Sequence, residues 1–411
     1  MRAFLFLGVA TVFLYCSPKQ PAELKGGIWR GVLDIQGQPL PFNFEVVRDA
    51  QGGYDVLMRN DDEQLLLEEV TLHGDSVTMV LHIFDSELKA RVIGDSLVGT
   101  FVKNYEQDYH IAFYAVHGQN YRFQASTAYD VPDFTGEYAV TFMTESDTVP
   151  AIGMFQQDGA HVTGSFLTPT GDYRYLEGAV YHDTLRVSTF DGNHAYVFSA
   201  IRNPDSSLSG DFYSGKTYHA SWVAFRDAEA AMPDASTLTY LKEGYETISF
   251  KFPDVNGNLV SLNDDKYMNK VVVLQLSGTW CPNCMDETNF LSAWYRENSD
   301  RGVEIIGLAY EAKADFAYAS ERVRKMVDKL HVPYDFVIAG TRDKEEASKT
   351  LPMLNRVIAF PTTIFVGKDG KVKGIHTGFS GPGTGIYFER YKEHFNQTVN
   401  ELLSENLASN E

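Results

Sequence analysis

The sequence predicts a multidomain protein with an all-β front part, a sandwich or a barrel, followed by an α/β domain. Its 411 residues exceed what one hydrophobic core normally organises, so we expect two or three domains. As far as about residue 227, short runs of alternating apolar and polar residues are separated by Gly, Asp and Asn, which is typical of antiparallel strands. From Ile248 onward strand and helix patterns alternate, which indicates an α/β domain.

The first sixteen residues have the pattern of an export signal. Arg2 precedes an unbroken small and apolar run from Ala3 to Tyr15, which is too short to span a bilayer as a helix. Cys16 follows directly, ahead of a polar segment. This resembles a bacterial lipoprotein signal, which implies that residues 1–16 end at a lipidated Cys16 and that the protein lies in the cell envelope. Tyr15 departs from the small residue usual before that cysteine, so a signal peptide cut elsewhere is the alternative.

The segment from Lys25 to about Asp227 reads as a series of short strands. Apolar and polar residues alternate in Phe42–Val46 and in Val77–Ile83, and Gly-containing turns recur between such runs. No long stretch shows a helical period, so we predict an all-β region. Abundant Tyr and Phe at alternating positions predict core packing, with a ligand-binding or partner-binding face as the alternative.

Three segments of the front part recur 105 to 111 residues later, which indicates an internal duplication. The pairs are Trp29–Leu33 with Phe134–Tyr138, Gly74–Val77 with His182–Leu185, and Asp95–Phe101 with Ser206–Phe212. We therefore predict two β-rich repeats, 25–127 and 128–230, and a linker at 231–247. Two separate small sheets and two halves of one larger barrel both remain open.

Charge and histidine spacing exclude two kinds of function for the front part. The formal net charge is −20, most of it before Ile248, and such a surface repels phosphate backbones, so we expect no nucleic-acid partner. The histidines of this region are not spaced as metal ligands with cysteine or carboxylate, so we predict no metal site.

The α/β part, residues 248–411, is predicted to hold a hairpin, a buried central strand and alternating helices and strands. The first predicted element is a hairpin at 254–260 with a type I′ turn at Asn256-Gly257. Strands are predicted at 271–276, 303–308 and 334–339, and a closing hairpin joins 362–366 to 371–376. One helix is predicted to follow the strand at 271–276 and to end near residue 296, and the other helices are 314–330, 344–354 and 387–403. This order is the thioredoxin arrangement, so we predict a thioredoxin-like domain.

A C-x-x-C pair lies where the central strand passes into a helix. Cys281 is predicted to cap that helix, where free backbone N–H groups and the helix dipole stabilise a thiolate. Cys281 is then the nucleophile that attacks a disulfide, and Cys284, one turn deeper, resolves the mixed disulfide. Trp280 precedes the pair, and Pro282 suits the first helical turn. A zinc site would need a second cysteine pair, so we predict a redox-active disulfide and no other cofactor.

Phe360-Pro361-Thr362 precedes the strand predicted at 362–366. In a thioredoxin fold this proline is cis and leaves the neighbouring backbone free to pair with an extended substrate. A trans proline at the start of a strand is the alternative.

These residues resemble the TlpA/ResA-like, membrane-tethered thiol–disulfide oxidoreductases of the bacterial envelope. The match runs from about Phe250 to Leu403 and includes W-C-P-x-C and F-P-T. The resemblance implies that Glu287, three residues after Cys284, manages the proton of that cysteine; a solvated helix acid is the alternative. Gln275 stands at the position where thioredoxin has a buried aspartate. Its side chain is an uncharged amide, which cannot act as a general base.

The resemblance implies a reductase of disulfides in exported proteins that receives its electrons from a membrane partner. One alternative is a peroxiredoxin, but the P-x-x-x-T-x-x-C pattern of those enzymes has Leu274 and Gly278 at the corresponding positions. The other alternative is a lipoprotein in which the β-rich part binds a ligand or partner and the redox domain is an accessory.

Overall fold

Two antiparallel β-sheets precede a mixed α/β domain in a computed structural model, which describes residues 23–127 and 131–405. The predicted all-β front part and thioredoxin-like C-terminal part are thereby confirmed. The predicted signal and the lipidation site Cys16 lie outside the described residues. Within the described ranges, no helix has the length and apolar content needed to cross a membrane.

The first sheet is an up-and-down meander of nine strands in the order β4-β3-β2-β1-β9-β8-β7-β6-β5. Its strands are Gly27–Ile35 (β1), Gln38–Arg48 (β2), Tyr54–Asn60 (β3), Glu63–Leu67 (β4), Val70–His73 (β5), Ser76–Val80 (β6), Ser86–Ile93 (β7), Ser96–Lys103 (β8) and His110–His117 (β9). Every second residue of β3 is buried, as alternation in its sequence requires. Because β1 also pairs with β9, the sheet curls into a barrel-like ring that is interrupted between β4 and β5.

The second sheet closes on itself. Its strands are Gly136–Met143 (β10), Thr148–Asp158 (β11), His161–Thr168 (β12), Gly171–Asp172 (β13), Leu176–Tyr181 (β14), Thr184–Phe190 (β15), Ala195–Arg202 (β16), Leu208–Ser214 (β17) and Tyr218–Arg226 (β18). β10 pairs with β18, and β11 pairs with β12, so an antiparallel ring forms with β13 beside β12. Aromatic side chains fill it, among them Phe142, Phe166 and Trp222.

The repeated segments occupy equivalent places in the two sheets. One pair lies at β1 and at the start of β10, the second at the turns β5–β6 and β14–β15, and the third at the turns β7–β8 and β16–β17. The repeats therefore form two separate sheets and not halves of one larger barrel. The domain boundaries drawn from the sequence stay predictions, because strand positions do not show which segments fold independently.

Glycines at equivalent places let neighbouring strands approach closely. A Cβ on Gly99 in β8 would overlap the carbonyl oxygen of Lys89, and one on Gly210 in β17 would overlap that of Ser199. We expect Gly99→Ala to lower the free energy of unfolding by roughly 1–3 kcal/mol, because the strand must shift to make room. Urea unfolding followed by circular dichroism measures it.

Gly26→Ala, directly before β1 of the same sheet, is the control. A Cβ there would lie 3.5 Å from the Val46 carbonyl oxygen, which is ordinary contact, so we expect a change within about 0.5 kcal/mol. Equal unfolding midpoints for the two variants would contradict the close approach at Gly99.

The α/β domain has a five-stranded sheet in the order β23-β22-β21-β24-β25, with β21, β22 and β23 parallel. Its elements are the two-residue strands Phe252–Pro253 (β19) and Leu259–Val260 (β20), then Val271–Ser277 (β21), Pro282–Asn298 (α1), Val303–Glu311 (β22), Phe316–Leu330 (α2), Asp335–Thr341 (β23), Lys344–Thr350 (α3), Thr362–Val366 (β24), Val372–Thr377 (β25) and Ile386–Ser404 (α4). All seven residues of β21 are buried, as expected for the central strand. α3 ends before the predicted residue 354 because Pro352 cannot continue a helix.

The predicted type I′ turn is wrong. That turn needs positive φ at both central residues, whereas here Gly257 alone of the pair has one, at 89°. The Asp254 carboxylate accepts hydrogen bonds from the backbone N–H of Asn256 and Asn258, and this fixes a longer loop between β19 and β20. The predicted linker lies along the α/β domain, since Leu241 pairs with Leu354 and Thr247 with Lys371.

Candidate active site

Cys281 caps helix α1 directly after the loop that leaves β21. Its backbone is extended, with φ −104° and ψ 110°, and its sulfur accepts a hydrogen bond from the backbone N–H of Cys284 at 3.2 Å. Pro282 occupies the first turn of the helix, where its missing N–H costs nothing. Cys281 and Cys284 are joined as a disulfide, with their Cα atoms 5.2 Å apart. When the pair is reduced, the same N–H and the helix dipole favour a thiolate at Cys281.

Trp280 holds the loop that carries the dithiol. Its indole N–H donates to the Tyr310 carbonyl oxygen at 2.8 Å, and its ring meets that of Phe360 edge to face at 5.9 Å. Gly278 is required here, since a Cβ at that position would overlap the Trp280 indole. The thiol-bearing turn is therefore held by β22, through Tyr310, and by the segment just before β24, through Phe360.

The segment before β24 lies against the nucleophile. The Phe360–Pro361 peptide bond is cis, and the Phe360 carbonyl oxygen lies 3.6 Å from the sulfur of Cys281. The Thr362 hydroxyl donates to the Ala359 carbonyl oxygen at 2.9 Å and so stabilises the bend. The Phe360 carbonyl oxygen is therefore the group of this segment that contacts the dithiol, and Pro361 and Thr362 follow it directly in the chain.

Glu287 is a fully buried carboxyl on α1. It accepts hydrogen bonds from the Gln275 amide at 2.9 Å, the Thr363 hydroxyl at 2.6 Å and the Tyr391 hydroxyl at 2.8 Å. Burial raises the pKa of Glu287, and the three donors oppose that rise. A buried carboxyl one helical turn after Cys284 is suited to exchange a proton near it.

Gln275 connects this carboxyl to the rest of the core. Its amide also donates to the Thr288 hydroxyl at 3.1 Å, and its carbonyl oxygen accepts from the Tyr334 hydroxyl at 3.1 Å. The Gln275 amide has its hydrogen bonds satisfied and orients Glu287. The amide is uncharged and does not itself take up or release a proton.

Sequence reasoning missed Thr363, Thr288, Tyr334 and Tyr391, which surround the buried pair. Only Thr363 had a signal, since it directly follows the F-P-T sequence in the strand predicted at 362–366. Tyr391 lies in the last helix, more than a hundred residues from Glu287, and its hydroxyl has no local pattern that marks it.

Sequence reasoning also missed three residues of the second β-sheet that contact the dithiol turn. Asn193 donates to the Trp280 carbonyl oxygen at 2.7 Å, and Arg174 donates to the Pro282 carbonyl oxygen at 2.8 Å. The Asp172 carbonyl oxygen accepts from the Asn283 amide at 3.1 Å. Across the described ranges, no group of three or more His, Cys, Asp or Glu is placed to hold a metal ion.

Known proteins similar to this chain share its thiol–disulfide chemistry. The Redoxin family model matches residues 228–389. The thiol-disulfide oxidoreductase ResA of Bacillus subtilis is 27% identical over 138 residues, which are 34% of this chain and 69% of that protein. ResA of Halalkalibacterium halodurans is 28% identical over 165 residues, 40% of this chain and 78% of that protein.

A solved structure is also similar in part. A putative thiol:disulfide interchange protein DsbE from Chlorobium tepidum is 22% identical and covers 40% of this chain and 100% of its own, with a TM-score of 0.31.

Proposed function

We propose that this chain, whose C-terminal part is a TlpA/ResA-like thiol–disulfide oxidoreductase, reduces disulfides in exported proteins at the bacterial cell envelope. The position of Cys281 carries the proposal: it caps α1 and receives the Cys284 N–H at 3.2 Å. A sulfur so placed is an activated nucleophile with a resolving partner one turn away.

The reaction transfers two electrons from the dithiol to the substrate. The Cys281 thiolate attacks one sulfur of the substrate disulfide, and the other substrate sulfur leaves as a thiolate. Cys284 loses its proton and attacks the sulfur of Cys281, which releases the second substrate thiolate and forms the Cys281–Cys284 disulfide. Glu287 takes up the proton of Cys284 directly or through water. A membrane electron donor then reduces the disulfide and restores the dithiol.

The envelope location and the membrane attachment follow from the N-terminal pattern. The apolar run that ends at Cys16 directs export, and a lipid on Cys16 ties the protein to the membrane that holds its electron donor. In an oxidising compartment, a dedicated reductant is needed for thiols that must remain reduced.

A redox titration of Cys281–Cys284 against glutathione tests the direction of transfer. We expect a reduction potential more negative than about −200 mV, in the range of reducing members of this fold. A value near about −120 mV would mark an oxidant and would overturn the reductase assignment.

A further inference from the structure

The sulfur that must react is covered. Cys281 is 4% exposed and Cys284 is 1% exposed. Thiol–disulfide exchange needs the attacking sulfur to reach a substrate sulfur, so access limits the rate as much as ionisation does. Both β-sheets lie against the turn that carries Cys281, and we call the strands from 27 to 226 with their loops the cap.

The second sheet contacts the dithiol turn on both sides of Cys281. Asn193, between β15 and β16, holds the carbonyl oxygen of the preceding residue, and Arg174, between β13 and β14, holds that of the following one. Asp172 accepts from Asn283 and, through its carboxylate, from the backbone N–H of Gly381 at 2.6 Å. Three residues of the turn, Trp280, Pro282 and Asn283, are thus hydrogen-bonded to the cap.

The first sheet reaches the dithiol turn indirectly, through Asn193 and Arg342. Tyr105, in the loop between β8 and β9, donates to the Asn193 side chain. The guanidinium of Arg342 lies 4.9 Å from the centre of the Tyr105 ring and 5.7 Å from that of the Trp280 ring. The Arg342 guanidinium also pairs with Glu106 at 3.3 Å. Both sheets therefore converge on the residues next to Cys281.

Arg174 joins all three parts of the molecule. This buried guanidinium pairs with Glu63 of the first sheet and with Asp286 of α1, and its Nε lies 3.2 Å from the carboxylate of Asp191 of the second sheet. Removing it would leave three carboxylates close together without their counter-charge, which is strongly unfavourable in a buried site. Arg174 therefore holds the cap against the α/β domain, and we call this residue the latch.

Polar pairs make up the periphery of this interface. Lys325 and Lys329 of α2 pair with Glu69 and Glu68, and the Tyr318 hydroxyl donates to Asp85 at 2.9 Å. Exposed ion pairs contribute little each to stability. Beneath them, one apolar cluster runs from the first sheet into the α/β domain, with Phe84 and Val323 among its buried members, so opening of the cap also separates apolar contacts.

We propose that the cap is an autoinhibitory device: in the closed state seen here Cys281 is shielded, and a protein disulfide reaches it only after the cap has swung away. The identity of the substrate rests on the proposed function, whereas the covering of the sulfur does not. A high reduction potential would therefore overturn the reductase and leave the cap intact.

Two maleimides of different size test the cap in the reduced full-length protein. N-ethylmaleimide is small, and the same maleimide on polyethylene glycol is bulky; peptide mass spectrometry assigns the adducts to Cys281. In the wild type we expect the bulky reagent to react far more slowly than the small one. In Arg174→Ala we expect the bulky-to-small ratio of rates to rise about tenfold or more, which corresponds to a loss of roughly 1.4 kcal/mol of closure.

Arg122→Ala is the matched control. Arg122 is an equally buried arginine, but its partners Asn60, Ser188 and Glu177 all lie within the cap. We expect the bulky-to-small ratio of maleimide rates in Arg122→Ala to equal that of the wild type. An equal rise in Arg122→Ala would show general loosening and contradict the latch.

Asn193→Ala is a milder second variant, and it tests the shielding of Cys281 by the cap if Arg174→Ala does not fold. It removes the hydrogen bond to the Trp280 carbonyl oxygen and leaves the buried charges paired. A bulky-to-small ratio higher than that of the wild type in Asn193→Ala supports the shielding of Cys281 by the cap. Equal ratios in the wild type, Arg174→Ala and Asn193→Ala would overturn it.

Discussion

Cys281→Ser is expected to abolish thiol–disulfide exchange, whereas Cys284→Ser is expected to stop the reaction halfway. A serine hydroxyl is not ionised at neutral pH, so turnover should fall by a factor on the order of a thousand or more. In Cys284→Ser the nucleophile still attacks, but no second sulfur displaces the captured partner. That variant should accumulate a covalent adduct of one substrate chain per protein.

Non-reducing electrophoresis with a disulfide-bonded model protein distinguishes the two variants. The adduct of Cys284→Ser should disappear on addition of dithiothreitol, and peptide mass spectrometry should place it on Cys281. An adduct that forms in Cys281→Ser through Cys284 would contradict the assigned roles. No such adduct is expected, because Cys281 and not Cys284 caps the helix and receives the backbone N–H that favours a thiolate.

Glu287→Gln is expected to slow the resolving step by about a hundredfold and to flatten its dependence on pH. The carboxyl accepts the proton of Cys284 only in its ionised form, and removal of a positioned acid or base typically costs a factor of about 10² to 10⁴. Because burial raises the pKa of Glu287, the wild-type rate should climb as the pH passes through that raised value. The amide should show no such climb.

The same substitution has a predictable effect on stability. An acid whose native pKa is raised contributes stability that is fully present below its unfolded pKa and is lost as the pH rises through the native value. The wild-type free energy of unfolding should therefore fall across that window, and Glu287→Gln should remove this part of the fall. The amide oxygen can still accept from Thr363 and Tyr391, so the fold is retained.

Glu304→Gln is the matched control for the resolving step. Glu304 is a buried carboxyl on β22 that accepts from Lys270 and Tyr295, away from the dithiol. Its amide variant should keep the wild-type pH profile of the resolving step. A profile in Glu287→Gln that is indistinguishable from the control would remove Glu287 from proton transfer.

Local patterns were sufficient to predict the secondary structure around the dithiol. A continuous apolar strand followed by W-C-P-x-C predicts a buried strand and a helix that begins at the cysteine, and the structure has β21 and α1 there. Alternation predicted the strands of the front part, and the repeated segments predicted two equivalent units. These properties depend on neighbours in the sequence, which is why the sequence alone reveals them.

Contacts between distant segments could not be predicted in the same way. The choice between sandwich and barrel depends on pairings such as β11 with β12, which no periodicity specifies. Arg174 lies in an ordinary polar turn, and its partners Glu63 and Asp286 are each more than a hundred residues away. The buried neighbours of Glu287 come from β24 and α4 for the same reason. Three-dimensional packing alone brings these groups together.

The pH dependence of Cys281 alkylation by iodoacetamide, measured on the reduced protein, tests the central claim most directly. The helix N-terminus and the Cys284 N–H should lower the pKa of the Cys281 thiol, so the midpoint of the rate should lie at least about one pH unit below the 8.5 of a free cysteine. A midpoint at or above about 8.5 would contradict an activated nucleophile at this position.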